Sequence, residues 1–216
     1  MILADPKTRE EWLKLRLKGI GGSDAGAVLG CNKYKTNIDV FKEKTGEPSN
    51  FKGNAATEYG LLAEEHIRNL FMLDHPEYSL EYHEYRMYAN DNMPFIYATL
   101  DGELTRKSDG LKGILEIKTT EIHNPIQWRD WEGDIPMPQS YYCQLLHQLS
   151  ATGWQFATMV VQIKYHKNGE MIKTIREHTI HRCDVLDDIA YLEEKEQLFW
   201  DCVLKKQEPN LILPNI

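Results

Sequence analysis

Cysteine is scarce in this chain of 216 residues: Cys31, Cys143, Cys183 and Cys202 stand 112, 40 and 19 positions apart. There is no CxxC pair and no clustered His/Cys spacing, so a zinc finger or iron–sulfur centre is not expected, and the thiols read as reduced and buried. No stretch approaches the roughly 20 apolar residues of a membrane span. The opening MILADPKTREEW lacks the apolar core of a signal peptide, which points to a cytoplasmic protein. Low-complexity tracts, solenoid-length repeats and long Pro/Gly/Ser linkers are also missing, which argues against several domains in series. Finally, 25 Lys/Arg against 33 Asp/Glu give a net charge of -8, the wrong sign for a general nucleic-acid coat protein. A local nucleic-acid site remains compatible with that total.

What is present is an ordinary soluble composition, 42% hydrophobic. A chain of this length can bury roughly 70% of its unfolded surface without disulfide or metal staples. A single domain over 1–216 is expected, in three parts: a helical N-terminal part (1–52), a central part (53–182) and a C-terminal helix (183–216). Residues 1–52 carry 10 basic and 7 acidic side chains, net +3, which leaves 15 and 26, net -11, for the rest. Trp12, Leu13, Leu15 and Leu17 predict a first helix ending at Gly19. A glycine turn follows, with Ser23 at the expected N-cap of the next helix. Thr36 is a second expected cap, and Asn54 to His75 carries a long helical pattern ended by Pro76. Leu80–Ala89, Phe95–Thr105 and Gly113–Thr120 then read as a three-strand meander. After an aromatic loop, Gln139–Ser150 predicts a helix, Trp154–Tyr165 and Met171–His181 two strands, and Asp184–Lys206 an amphipathic closing helix. The order is that of an α/β protein.

Chemistry concentrates at Asp101 and at Glu116-Ile117-Lys118. Residues two apart on a strand share a face, so Glu116 and Lys118 point the same way, and an antiparallel neighbour brings Asp101 beside them. Two carboxylates with the Ile117 carbonyl form an all-oxygen pocket suited to Mg²⁺ or Mn²⁺, and a lysine there can orient an attacking water or lower its pKa. The bland alternative is a turn-capping Asp101 and a solvated, cross-strand-paired Glu116 and Lys118. Against it, Ile96, Ala98, Leu100, Ile114, Leu115 and Ile117 surround these charges with apolar neighbours. Buried carboxylates need partners or metal. Taken alone, Glu64 reads as a helix-surface charge, Gln144 as a helix-surface amide and Ser23 as a simple cap.

The ordered set Gly19-Ile-Gly-Gly-Ser-Asp24, Tyr59-Gly60-x-x-x-Glu64, Thr99-Leu-Asp101-Gly102, Leu115-Glu-Ile-Lys118 and Tyr141-x-x-Gln144 resembles the YqaJ-like viral recombinase nucleases, the lambda-type phage exonuclease group of the PD-(D/E)XK superfamily. The likeness covers about residues 12–165. It implies an α/β fold with a PD-(D/E)XK core, a central mixed β-sheet flanked by helices behind an N-terminal helical segment. It makes 53–182 the catalytic core and 1–52 the DNA-end-binding part. It implies metal ligation by Asp101, Glu116, the Ile117 carbonyl and Glu64, which is preferred over Glu65 because it follows Gly60 by four. Lys118 becomes catalytic and Gln144 a water-positioning residue, while Arg16, seven before Ser23, grips a 5′-terminal phosphate with it. Two departures are visible: fifteen residues separate Asp101 from Glu116, and Leu100 stands where many relatives have proline.

The activity so implied is a Mg²⁺-dependent 5′-to-3′ exonuclease on linear double-stranded DNA, phage-encoded, that leaves 3′ tails for recombination. A ring-shaped homotrimer and a RecT/beta-type annealing partner are implied likewise. A PD-(D/E)XK endonuclease and a non-catalytic DNA-binding module are the alternatives; the iron–sulfur relatives of CRISPR adaptation need four cysteine ligands that the spacing does not supply. Trp128 and Trp131 read as packing residues, Arg129 is given no role, and His178 and His181 read as strand or turn residues.

Overall fold

Helices begin where a side chain can accept the free N–H groups of the first turn. In the computed structural model, which describes residues 1–47 and 53–213, Thr8 caps α1 (Arg9–Arg16), Thr36 caps α3 (Asn37–Thr45) and Asn54 caps α4 (Ala55–Asp74). The short α2 (Gly22–Val28) differs from expectation: its N-cap is Gly21, and Ser23 lies inside the first turn. Asp24 takes over the capping role, its Oδ2 accepting from Gly21 N at 3.2 Å. This leaves the Ser23 hydroxyl free for another partner. Helix α5 (Gln139–Thr152) ends on Gly153 at φ 70°, and α6 (Leu186–Lys205) buries Ile189, Leu192, Phe199 and Val203 as its spacing requires. The expected 52/53 boundary falls at residues 48–52, outside the described residues.

The strands form two sheets. In the four-stranded sheet the order is β1 (Ile2–Ala4), β4 (Met87–Ala89), β5 (Ile96–Ala98), β2 (Ile20–Gly21). The five-stranded sheet runs β3 (Tyr78–Glu81), β6 (Gly102–Arg106), β7 (Lys112–Ile122), β8 (Phe156–Lys167), β9 (Glu170–His181). The expected meander is therefore corrected. Leu80–Ala89 breaks into β3 and β4, Phe95–Thr105 breaks into β5 and β6, and each break passes the chain from one sheet to the other. Alternating hydrophobicity persists across both breaks because both sheets bury apolar side chains, so periodicity alone does not reveal the crossings.

Strands β7 and β8 pair in parallel, joined through the Pro125–Trp131 3₁₀ turn and α5. Strand β7 is buried on both faces: Leu115 and Ile117 pack with Ala63, Ile67 and Phe71 of α4, while Ile114 joins the core shared with α5 and α6. The β8–β9 hairpin turns on Asn168 and Gly169, both at positive φ. Trp131 is buried and Trp128 packs edge-on to Tyr165, in keeping with packing roles for both; His178 and His181 lie on β9. The four cysteines are free thiols, but only Cys143 is buried, and Cys183 is exposed. Among the described residues no helix is long and apolar enough to cross a membrane.

Candidate active site

The site lies where the β6 ladder stops. Backbone pairing with β7 begins at Gly102, opposite Leu115, so Ile117 has no β6 residue to bond. Asp101 sits in the bend just before β6 instead of on a strand, and its Oδ2 accepts from Ile117 N at 2.7 Å. A strand residue directs its N–H and C=O to the same edge, so the Ile117 carbonyl also lies on the Asp101 side. The Asp101 main chain is fixed in turn by Arg68 of α4, whose Nε donates to its carbonyl oxygen at 2.7 Å while the guanidinium lies over the Tyr82 ring.

Glu116 and Lys118 share the opposite face of β7 from Leu115 and Ile117, as their spacing requires. The Glu116 carboxylate is 3% exposed and fully engaged. Its Oε1 accepts from Lys118 Nζ and Gln144 Nε2, each at 2.5 Å, and its Oε2 accepts from Gln148 Nε2 at 2.6 Å. Gln148 is a residue that the sequence reading missed. It follows Gln144 by four on α5, and that same-face spacing was its available signal. The Gln148 Oε1 is buried without a hydrogen-bond partner. Arg68, four after Glu64, was missed for want of the same test. Glu64 is half-buried and Glu65 exposed, so α4 turns the expected one of the two toward the site.

Burial pushes the Asp101 carboxyl well above the usual carboxylate range, and repulsion from Glu116 and Glu64 adds to it against the pull of Lys118. Burial, then Glu116, raises Glu64 likewise, against Lys118 and Arg68. For Lys118, burial opposes the charge, but Glu116 and Asp101 overcome it and hold the ammonium above its ordinary value. The three acids thus crowd one place with a single lysine ammonium among them. An all-oxygen donor set whose own repulsion raises its proton affinity fits a hard divalent cation.

The three acids do not stand as a ready-made ligand cluster. Among the described residues, the acidic or histidine group whose ligand atoms all lie within 4.8 Å of one another is Glu81, His83 and Glu103. That group is built as an ion-pair network. Glu81 and Glu103 are directly opposed in the β3–β6 register, and Glu103 accepts from the Tyr88 hydroxyl at 2.5 Å and from Arg86 Nη1 at 3.4 Å.

Arg16 and Ser23 meet as their spacing suggests: Arg16 Nη2 donates to Ser23 Oγ at 2.9 Å, and the guanidinium stacks on Trp12 at 4.7 Å. They line a cavity of about 1030 Å³, outlined by the described residues, together with Asp24, Lys35 and Lys44. Asp24 is buried and bridges Lys35 at 3.0 Å and Lys44 at 2.8 Å. Burial would raise its carboxyl, but Lys44, Lys35 and Arg16 overcome that and hold it far below the usual range. Asp24 thus faces three cations: Lys44 is paired with it, Lys35 is shared with Glu43 at 2.6 Å, and Arg16 is the one of the three with no direct carboxylate partner among the described residues. Gly22, the neighbour of Ser23, packs on the Glu116 partner Gln144: a Cβ there would stand 3.3 Å from Gln144 Cγ.

Residues 11–155 match the family described as the YqaJ-like viral recombinase domain. A Bacillus subtilis (strain 168) protein described as the uncharacterized protein YqaJ is 34% identical over 219 residues, which covers 94% of this chain and 59% of that protein. The chain thus spans about three fifths of the length of that curated relative. Among solved structures, the alkaline exonuclease LHK-Exo of Laribacter hongkongensis superposes with a TM-score of 0.62 at 19% identity, over 91% of this chain and 93% of that one. A phage-related exonuclease from Haemophilus somnus 129PT gives 0.57 at 16% identity, over 87% and 96%. The fold is accordingly the PD-(D/E)XK nuclease fold of these exonucleases.

Proposed function

Since the chain belongs to the YqaJ-like viral recombinase domain family, we propose that it is a deoxyribonuclease, specifically a Mg²⁺-dependent 5′-to-3′ exonuclease on linear double-stranded DNA that leaves 3′ single-stranded tails for recombination. The observation that carries this reading is the convergence of Asp101, Glu116, Lys118 and Glu64 at the place where β6 stops pairing with β7. Asp101, Glu116, the Ile117 carbonyl and Glu64 would hold the cation, Mg²⁺ or in its place Mn²⁺. When bound, the cation supplies charge stabilisation at the phosphate and a more acidic water.

The chain's own residues have separable tasks. Lys118, held charged by Glu116 and Asp101, is a donor to the attacking water or to a phosphate oxygen and cannot act as a general base in that state. Gln144 and Gln148 fix the rotamer of Glu116. Gln144 reaches Glu116 through its Nε2, which leaves its amide oxygen as an acceptor for a water proton. Arg16 and Ser23 would bind the 5′-terminal phosphate. Each cut exposes a new 5′ phosphate, so the cavity would also favour forward movement along the strand.

Digestion of a linear duplex labelled at one end, with and without a 5′ phosphate, beside a covalently closed circle, tests the reading. Loss of linear DNA from the 5′ end with the circle intact is expected. Cutting of the circle would replace the exonuclease with an endonuclease on the same core, and binding without any cutting would leave a DNA-binding module. Lys118→Ala is expected to lower cleavage by at least about 100-fold, in line with loss of one preorganised donor, while duplex binding survives. Arg16→Ala is expected to erase the preference for phosphorylated over hydroxyl 5′ ends, and an unchanged ratio of the two rates would remove Arg16 from that role. A homotrimer, a RecT/beta-type annealing partner and a cytoplasmic setting in a phage-infected or prophage-bearing bacterium complete the proposal. Sedimentation of the purified chain checks the first of these.

A further inference from the structure

Lys164 on β8 and Lys173 on β9 are direct partners in the antiparallel register, a like-charge pair on one face of the sheet. Such a pair is destabilising in itself. Both ammonium groups lean over a single ring, that of Tyr59 near the start of α4, at 2.9 and 5.6 Å from its centroid. The ring is held in place by its hydroxyl, which donates to Gln162 Oε1 at 2.6 Å. The acid opposite Lys164 in register, Glu121 on β7, has its carboxylate 3.7 Å from His123 Nδ1 and forms no ion pair with either lysine. Among the described residues neither lysine forms an ion pair with a carboxylate. The π face eases the repulsion between the two ammoniums, yet it leaves their outward donors and their charge unspent.

The position is as informative as the charge. Helix α4 meets β7 at Gly60, where a Cβ would stand 3.4 Å from Thr119 Oγ1, one residue beyond Lys118. Tyr59 precedes Glu64 by five residues, somewhat more than one helical turn. The hairpin that carries the lysines is itself basic: residues 162–176 hold Lys164, Lys167, Lys173 and Arg176 against one acid, Glu170. In a chain of net charge -8, this is a second basic segment, remote in sequence from the N-terminal one.

We propose that Lys164 and Lys173, gathered on Tyr59, form a phosphodiester-binding station for the backbone of duplex DNA beside the acidic cluster. The station rests on the reading of the chain as a DNA-processing enzyme and adds to it a contact on the opposite face of the sheet from Arg16 and Ser23. Two lysines gathered over one ring can engage one phosphate or two successive ones, a mode of contact blind to base sequence. Neutralising them removes one or two phosphate contacts and leaves the acidic cluster untouched.

The test is binding of a fluorescent duplex and of a single strand of equal length between 50 and 200 mM salt, in a Lys118→Ala background so that the DNA is not consumed. Replacing both lysines by glutamine is expected to weaken duplex binding and to make the slope of log K against log salt shallower by about 1 to 2, since each phosphate contact contributes about 0.9 for duplex DNA. The Lys164→Arg, Lys173→Arg chain should keep the parental slope. Retention of the parental melting temperature by the glutamine chain shows that it is folded. An unchanged duplex slope, or a change confined to the single strand, overturns the station while leaving the nuclease reading intact. If the Lys118→Ala parent binds neither DNA, the functional reading itself fails, and the station with it.

Discussion

At the scale of the residue, Asp101 shows what the site costs the fold. It is a half-buried acid repelled by two others and retained by one backbone N–H and one lysine. A raised carboxyl pKa means that the unfolded chain loses its proton first as pH climbs. Asp101 therefore subtracts stability progressively above the ordinary carboxylate pKa of about 3.9, until its own folded pKa is passed. Asp101→Asn keeps an acceptor for Ile117 N and removes the charge. The expected outcome is a chain without nuclease activity that melts higher than the parent, with a gap that is small near pH 4 and widens toward neutrality. Thermal melts of both chains across that range, without divalent ions, check it; a lower melting point for the Asn variant at neutral pH would refute the sign. Asp101, Glu116 and Lys118 stand out in the sequence as charges in otherwise apolar runs, and the fold brings all three to Ile117 and its neighbours on β7. Gln148 and Arg68 do not stand out, because an amide and an arginine on helices have ordinary surface uses, and only the fold shows what each one faces.

At the scale of the element, α5 is the positioning device. It delivers Gln144 and Gln148 to Glu116 and is set against α2 by a close approach at Gly26, where a Cβ would lie 2.9 Å from Ser140 Cα and Cβ. Gly26→Val is expected to destabilise the chain by about 1–3 kcal/mol through overpacking. It should also lower cleavage by more than the folded fraction accounts for, because α5 must shift and carries the Glu116 partners with it. Denaturant unfolding together with specific activity per folded molecule separates the two effects. Elements with a local rule were read correctly: Thr36 as a cap, the long helix that stops before Pro76, and the two strands that follow α5. The second sheet was missed because β1 and β2 are two or three residues long and take their stability from partners distant in sequence. Asp101 was accordingly placed on a strand. Its place in a bend follows from the chain's crossing between sheets, a tertiary event with no local signature.

At the scale of the whole molecule, the total of -8 concealed a division of labour among charges. Arg16, Lys35 and Lys44 gather about Asp24 and Glu43, the β8–β9 hairpin carries Lys164 and Lys173, and Glu64, Asp101 and Glu116 gather at the site. A cation bound by the folded chain alone stabilises it by RT ln(1 + [L]/Kd), about 2.7 kcal/mol at one hundred times Kd. For a chain of this size that corresponds to a rise in melting temperature of roughly 5–11 °C. Mg²⁺ is expected to produce a saturable rise in the parent and little or none in Asp101→Asn or Glu116→Gln. Equal shifts in all three would place the binding elsewhere, and differential scanning fluorimetry against Mg²⁺ concentration decides.

The substitution of a carboxylate for a strand carbonyl at Ile117 gives the protein an internal reporter. The Ile117 amide proton is donated to one of the carboxylates that would change state when the site is protonated or filled. Its nuclear magnetic resonance frequency would therefore record the state of the site directly, with no dye, no substrate and no mutation. One backbone signal, followed during titration with acid or with a divalent ion, would read occupancy in the resting molecule.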